Sequence, residues 1–323
     1  MLAVIFSSNA TNDVNGPAKK VSISGAGATF PLPFYNLAFK TYQDKTGNSI
    51  TYGGIGSGGG IRSLKDKIVD FGGSDAYLSD KEMSEMPAAV VHIPTCMGAV
   101  VLAYNLPGVD NLKLTGDIIA DIYLGKITKW NDSRIAAINP GTNLPDKAMS
   151  PVYRSDGSGT TFVFSDYMTK VSPEWAEKIG TGKSLKWPVG MAAKGNPGVA
   201  GVISQTEGSI GYVGSEYAFA MKIQFAQIRN AAGNFITPNT ESISAAAKGD
   251  MPADTRTMIT NSAAPDAYPI SCFTWIILYK EQAYADRNQA QAEETLKLLN
   301  WMLDAEAQAL TTTSASATRA TST

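Results

Sequence analysis

A single histidine, His92, serves the whole chain of 323 residues. Catalysis by Ser-His-Asp or Cys-His pairs, and metal sites built on several histidines, therefore have almost nothing to draw on. His92 itself lies between Val91 and Ile93 in an apolar, strand-like run, which points to a structural role. Cysteine is nearly as scarce. Cys96 and Cys272 form no CxxC pair and no metal-ligand spacing, and both a disulfide and two free core thiols are compatible with them. No stretch comes near the ~18 consecutive apolar residues of a membrane span. Neither sign of charge is in excess. A formal net charge of −2 provides no bulk field to attract nucleic acid or an acidic membrane, although a small anion needs only a local site. With 44% hydrophobic and 17% charged residues the chain can bury a real core, as one large domain or two medium ones.

The two ends are poor in pattern. Leu2 to Phe6 form an apolar stub with neither the basic residues nor the apolar length of an export signal. Residues 1–20 are expected to be a leader or flexible N-terminus. The low-complexity stretch Thr311 to Thr323 is expected to be a flexible, disordered tail.

What the chain does have is glycine placed ahead of helices. "GAGATFPLPFYNLAFKTY" (Gly25 to Tyr42), "GGIGSGGGIRSLKDKIVD" (Gly53 to Asp70) and "RSDGSGTTFVFSDYMTK" (Arg154 to Lys170) each put glycines and a hydroxyl residue before or at the opening of a helix-length segment. Around them strands and helices alternate. "KVSIS" and "SITYGG" predict strands; "VDFGGSDAYLSDKEM" predicts a short strand, a turn with Ser74 and Asp75, and a helix capped by Ser79. Gly47 is placed to end the first long helix. Two long apolar strands, Cys96 to Gly108 and Pro269 to Lys280, bracket the middle of the chain, and one amphipathic helix is expected from Gln289 to Leu310. The alternation predicts an α/β fold with parallel or mixed sheets, and the bracketing strands suit two lobes joined by crossing segments.

A helix N-terminus carries four backbone N–H groups without internal acceptors and the positive end of the helix dipole. Glycine admits close approach, and Thr or Ser adds a hydroxyl donor, so such a turn suits a small anion without metal or cofactor. Three of them, with Arg154 just before the third, point to an oxyanion site. Gly54 to Gly59 also satisfies GxGxxG, with Asp75 near the offset of a ribose-binding carboxylate, so a dinucleotide-dependent enzyme is the rival reading. Ser158 lacks both the GxSxG elbow and a histidine base. Carboxylates are unusual in an anion site. Asp75 and Asp156 can simply stabilise turns. Alternatively, an ionised Asp75 accepts the proton that orthophosphate still carries and repels sulfate, which has none, while Asp156 pairs with the Arg154 guanidinium.

With these residues in view, the chain closely resembles the periplasmic phosphate-binding proteins that serve the Pst-type ABC importer. The matching stretches are "GAGATFP", "GIGSGGG", "VDFGGSDAYLS", "VVLAYN", "DIYLGKITKWND", "RSDGSGTTFVF", "WPVG" and "GSIGYV", in the family's order from about Val21 to Leu310. The resemblance implies a two-lobed type II binding-protein fold, each lobe a mixed β-sheet flanked by helices and joined by crossing hinge strands. It divides the chain into lobe I, residues 21–97 and 269–310, and lobe II, residues 98–268. It implies capture of inorganic phosphate between the lobes and delivery to membrane permease subunits, by a periplasmic monomer that is not an enzyme and binds no cofactor, metal or nucleic acid. The phosphate ligands fall on Thr29, Phe30, Ser57, Asp75, Arg154, Ser158, Gly159 and Thr160, supported by Ala28, Gly56 and Asp156. Arsenate or sulfate receptors are the near alternatives. The chain departs from the family at its ends: there is no convincing signal, no lipobox cysteine, and the tail replaces a segment with tyrosine and proline that packs on the first lobe.

Overall fold

The computed structural model describes residues 20–316. The elements of the N-terminal part are β1 (Ser22–Gly27), α1 (Leu32–Thr46), β2 (Ser49–Gly54), α2 (Ser57–Lys65), β3 (Phe71–Ser74), α3 (Asp80–Ser84) and β4 (Val90–Tyr104). The middle supplies β5 (Lys113–Leu114), α4 (Gly116–Tyr123), α5 (Ser133–Ile138), β6 (Ser150–Arg154), α6 (Gly159–Val171), α7 (Pro173–Lys178), β7 (Met191–Ala193), α8 (Gly195–Gln205), β8 (Ser209–Gly214) and α9 (Ser215–Ala220). The remainder is β9 (Gln224–Phe225), β10 (Gln227–Arg229), β11 (Phe235–Ile236), α10 (Thr240–Ala245), β12 (Ser271–Tyr279), α11 (Gln289–Leu303) and α12 (Ala305–Ser316). The predicted punctuation is found: Gly47 closes α1 in the left-handed conformation, and Ser79 opens α3 through a reciprocal capping box with Glu82.

The main sheet runs in the order β2-β1-β3-β12-β4-β8-β6-β7. Two parallel clusters, β2-β1-β3 and β7-β6-β8, are joined through the antiparallel strands β12 and β4. Strand β4 is shared between them. Its Val90–Ala99 portion pairs β12, and Val100–Tyr104 pairs β8. This is the mixed α/β, two-lobed architecture expected, with the long apolar strands at the crossing.

Why those strands are so apolar follows from the packing. Along β12, Ile276 and Leu278 enter a core with Phe34, Tyr35 and Phe71, while Phe273, Trp275, Ile277 and Tyr279 enter another with Leu64 and Leu78. Both faces are covered, so alternation gives way to a continuous hydrophobic run. The second parallel cluster has its own core, in which the Phe164 and Tyr212 rings stack at 4.4 Å with 8° between planes.

Three expectations are resolved or corrected. The two thiols are free. Cys96 pairs with Thr274 and Cys272 with Gly98, which places the cysteines two rungs apart on adjacent strands, a diagonal spacing of ~7–8 Å that exceeds the usual reach of a disulfide. The single C-terminal helix is interrupted at Asp304, whose backbone is extended (ψ 156°), giving α11 and α12. The tail is not wholly without structure: α12 runs on to Ser316. Its first turns are anchored by buried Ala307 and by the Gln308 amide, which donates to Thr95 O at 2.9 Å and Met302 O at 2.7 Å. Extending an anchored helix requires no new nucleus, so a weak Thr/Ser/Ala sequence can follow. The expectations for residues 1–19 and 317–323 lie outside the described residues.

Candidate anion-binding site

Parallel neighbours end at one edge of a sheet, and that is what gathers the glycine turns. Strands β2, β1 and β3 deliver Gly54–Ser57, Ala28–Phe30 and Asp75 to the same edge, where Gly27 O accepts from Ile55 N and Gly56 N, and Ala28 N donates to Gly73 O. In the other cluster, parallel β6 and β7 deliver Arg154 and the starts of α6 and α8. The carboxyl ends of parallel strands are the usual ligand position in α/β sheets.

The two edges meet. Gly58 N donates to Gly157 O at 2.8 Å. Gly56 has φ +85°, and a Cβ there would sit 2.4 Å from Asp156 Oδ2, so glycine is required both for the conformation and for the approach. At the start of α6 a Cβ on Gly159 would lie 2.3 Å from Ser57 Oγ and 2.7 Å from Asp75 Oδ2. Ser57, Asp75 and the N-terminus of α6 thus face one another across the cleft. Ser57 Oγ accepts from Asp75 N at 3.3 Å, and Ser158 Oγ caps α6 by accepting from Thr161 N at 2.9 Å. The Gly159 and Thr160 amides head the helix without an intrahelical acceptor.

Arg154 is 4% exposed. Its Nε and Nη2 donate to Asp156 Oδ1 and Oδ2 at 2.8 and 2.6 Å, the bidentate pairing expected, and Nη1 reaches Thr160 Oγ1 at 3.3 Å. Burial pushes the Asp156 carboxyl up, but the Arg154 bond and charge outweigh it and hold the group below its ordinary value. Thr29 completes the circle. Its Oγ1 accepts from Asn196 N and Nδ2, both at 3.0 Å, and its carbonyl accepts from the Tyr217 hydroxyl. Phe30 holds the first turn by filling the space between Gly98 and Gly214, where its ring lies 2.6 and 3.0 Å from the Cβ positions those glycines leave open.

Asp75 is 1% exposed and is pushed up to about 7, chiefly by burial, with the Thr274 hydrogen bond and the Arg154 charge opposing. A carboxyl titrating there can accept or donate a proton near neutrality.

All of Thr29, Phe30, Ser57, Asp75, Arg154, Ser158, Gly159 and Thr160 therefore converge, as do Ala28, Gly56 and Asp156. Besides Tyr217, three participants have no place in the sequence reading. Asn196 links Thr29 to Thr160 Oγ1 (3.0 Å) and accepts from Gly214 N (2.9 Å). Thr274 donates to Asp75 Oδ1 at 2.8 Å. The Tyr212 hydroxyl accepts from Arg154 N at 3.0 Å and pairs with Thr161 Oγ1 at 2.7 Å. Asn196 had a usable signal, because "KGNPG" is a fourth glycine-rich helix opening.

The rival dinucleotide reading fails on the cover over its turn. Asp156 and Gly157 lie directly over Gly56 and Gly58, where a pyrophosphate would have to sit, and Asp75 beside Ser57 faces the head of α6 rather than a ribose pocket. A cavity of about 480 Å³ lies elsewhere, between β4, α10 and α12. Its lining includes Glu216 but no Lys or Arg, so the one charge facing it repels an anion.

Residues 13–306 match the model of a PBP superfamily domain. The chain is 43% identical over 291 residues to the phosphate-binding protein PstS of Xylella fastidiosa (strain 9a5c), covering 88% of this chain and 78% of that one. It is 41% identical over 285 residues to PstS of Pasteurella multocida (strain Pm70), covering 87% and 81%. Among solved structures, a phosphate-bound, putative phosphate ABC transporter substrate-binding protein from Clostridium perfringens superposes with a TM-score of 0.67 at 18% identity, over 91% of this chain and 97% of that one. At that identity the likeness concerns the fold alone. Sequence kinship, fold and the arrangement of the three turns agree, and the chain belongs to the PstS family of the PBP superfamily.

Proposed function

We propose that this protein binds inorganic phosphate between its lobes and hands it to the permease of an ABC importer. The observation that carries the reading is the meeting of Gly159, at the head of α6, with Ser57 and Asp75 from the opposite edge, beside the buried Arg154. The phosphate ligands are Thr29, Phe30, Ser57, Asp75, Arg154, Ser158, Gly159 and Thr160. Backbone amides at the three turns, the hydroxyls of Thr29, Ser57, Ser158 and Thr160, and the Arg154 guanidinium supply the donors. Asp75 supplies the one acceptor, and it suits a ligand that still carries a proton. Donors from one lobe alone do not surround a tetrahedral anion, so the ligand favours the state in which both sets meet.

Lobe I comprises residues 21–97 and 269–310 and lobe II residues 98–268, with β4 and the approach to β12 as the hinge. The closed lobes together present the surface the permease reads. The protein acts outside the membrane, in the periplasm, as a monomer, and it captures rather than converts its ligand. Relatives named phosphate-binding protein PstS support the capture of phosphate.

Isothermal titration with phosphate, sulfate and arsenate tests the reading. Phosphate should bind tightly at pH 8 and arsenate, which shares its protons and shape, more weakly; sulfate should fail. Asp75→Asn should keep phosphate binding and admit sulfate. Absence of phosphate binding by the native protein would remove the proposal, and unchanged selectivity in Asp75→Asn would remove the acceptor role.

A further inference from the structure

Asp75 is a useful discriminator only if one oxygen faces the ligand and the carboxylate cannot rotate away. The sheet supplies a device for this. Strand β12 pairs antiparallel with β3, Trp275 opposite Ser74. Continuing that register by one residue sets Thr274 opposite Asp75, on the same face of the sheet. Thr274 is fully buried, and its Oγ1 donates to Asp75 Oδ1 at 2.8 Å. The other oxygen, Oδ2, is the one turned toward Gly159.

Thr274 is itself held. On its other side β12 meets β4 at a register shift between Thr274 and Trp275, where Thr274 pairs with Cys96, Trp275 with Pro94, and Thr95 is the extra residue. The Thr95 hydroxyl donates to Thr274 O at 3.2 Å and pairs with the Tyr35 hydroxyl at 2.7 Å. The carboxylate is thereby tied to the strand that crosses between the lobes.

Building on the proposed phosphate site, we propose that Thr274 is a positioning residue for selectivity: its hydroxyl fixes Asp75 Oδ1 and so aims Oδ2 at the cleft as the acceptor that separates protonated from unprotonated oxyanions. The hydroxyl has a second effect. A donor to the carboxylate favours its charged form, opposing the burial that pushes Asp75 up to about 7. The other groups that bear on Asp75 are Arg154 on β6, Cys96 on β4, Cys272 on β12, Tyr35 on α1, Tyr52 on β2 and Tyr217 on α9. Burial raises both thiols and all three phenols, so these stay neutral near pH 7 and Arg154 is the one fixed charge among them. When Asp75 is protonated it becomes a donor, and sulfate is no longer repelled.

The experiment is titration of phosphate and sulfate from pH 5.5 to 9 (roughly two units either side of the Asp75 midpoint) into the native protein, Thr274→Val and Thr274→Ser. In the native protein sulfate binding should appear as pH falls through about 7. In Thr274→Val that onset should move up by roughly one pH unit, the worth of one hydrogen bond to a charged group, and phosphate at pH 9 should bind about tenfold more weakly. Thr274→Ser should restore both. A Thr274→Val protein that is less heat-stable but has the native pH profile of selectivity would overturn the proposal and leave Thr274 a merely structural residue. Should Thr274→Val not fold, Thr274→Ala against Thr274→Ser decides by the same shift. If the native protein binds no phosphate, the functional reading fails instead, a result distinct from an unmoved profile.

Discussion

Asn196 offers the sharpest test of how the cleft is held shut. Its side chain makes three bonds: Nδ2 to Thr29 Oγ1 and to Thr160 Oγ1, each at 3.0 Å, and Oδ1 from Gly214 N at 2.9 Å. They divide by location. The bonds to Thr160 and Gly214 join α8 to neighbours in the same parallel cluster, so the proposed opening of the lobes leaves them in place. The bond to Thr29 links the two parallel clusters, so on the proposed lobe division it is made only when the cleft shuts. In Asn196→Ala the two internal bonds are lost and Gly214 N is left buried without its acceptor. At about 1 kcal/mol for a lost bond and ~1–3 kcal/mol for an unsatisfied buried donor, the second lobe should lose ~2–4 kcal/mol of stability. The cross-cleft bond adds ~1 kcal/mol to the closed state, since Asn196 N still reaches Thr29 Oγ1, so phosphate should bind roughly fivefold more weakly. Thermal unfolding with and without phosphate separates the two effects, because ligand stabilisation follows the dissociation constant. A variant that melts lower yet binds phosphate as tightly as the native protein would refute the closure argument, and one that melts unchanged would refute the bond ledger.

Arg154→Ala removes a buried guanidinium that pairs with Asp156 and that the proposed function makes a phosphate ligand; phosphate affinity should fall by ~2 kcal/mol or more, about thirtyfold, and Arg154→Lys should recover only part of it because Lys cannot form the bidentate pair. Titration calorimetry measures both, and an Arg154→Ala protein of native affinity would place Arg154 outside the site. At the cleft rim Lys183 meets Glu82 across the lobes at 2.6 Å, both partly exposed, so Glu82→Gln should weaken phosphate binding only about twofold, with the difference vanishing at high ionic strength. An effect that survives salt would mean that Glu82 acts through its capping of α3 instead. Asp75 also predicts a pH dependence in the ligand-free protein. Its folded value, about 7, lies above the ordinary 3.8, so between those limits the native state keeps a proton that the unfolded chain has lost. Stability should therefore fall as pH rises through that window, by up to ~4 kcal/mol, and Asp75→Asn should flatten the slope in denaturant unfolding; an equal slope in both proteins would contradict the assignment.

The parts of this molecule that the sequence makes visible are the parts decided within a few residues. A glycine turn opening a helix, Gly47 closing one, the Ser79 cap and the Arg154-x-Asp156 pair are local arrangements, and each is found where the residues indicate. Composition alone misjudged α12, because whether a Thr/Ser/Ala stretch is helical depends on the anchored turn before it, and Gln308 makes that anchor with Thr95, 213 residues away. Asn196 is intermediate. Its helix opening is visible, but its partner Thr29 is 167 positions distant and is supplied by the other lobe. Thr274 was out of reach for a stricter reason. It sits in the middle of a fully buried strand, "SCFTWIILY", and meets Asp75 across 199 residues by register alone. A slip of one residue between β12 and β3 would present Phe273 or Trp275 to the carboxylate, since neighbouring side chains point to opposite faces. Nothing in the run of apolar residues states the register. It is set where the large side chains of β12 find their cores, Ile276 and Leu278 on one face and Phe273, Trp275 and Ile277 on the other. The chemistry at Asp75 is thus decided by hydrophobic packing, which sets the Thr274 hydroxyl, and not that of Ser271 or Tyr279, opposite the buried carboxylate.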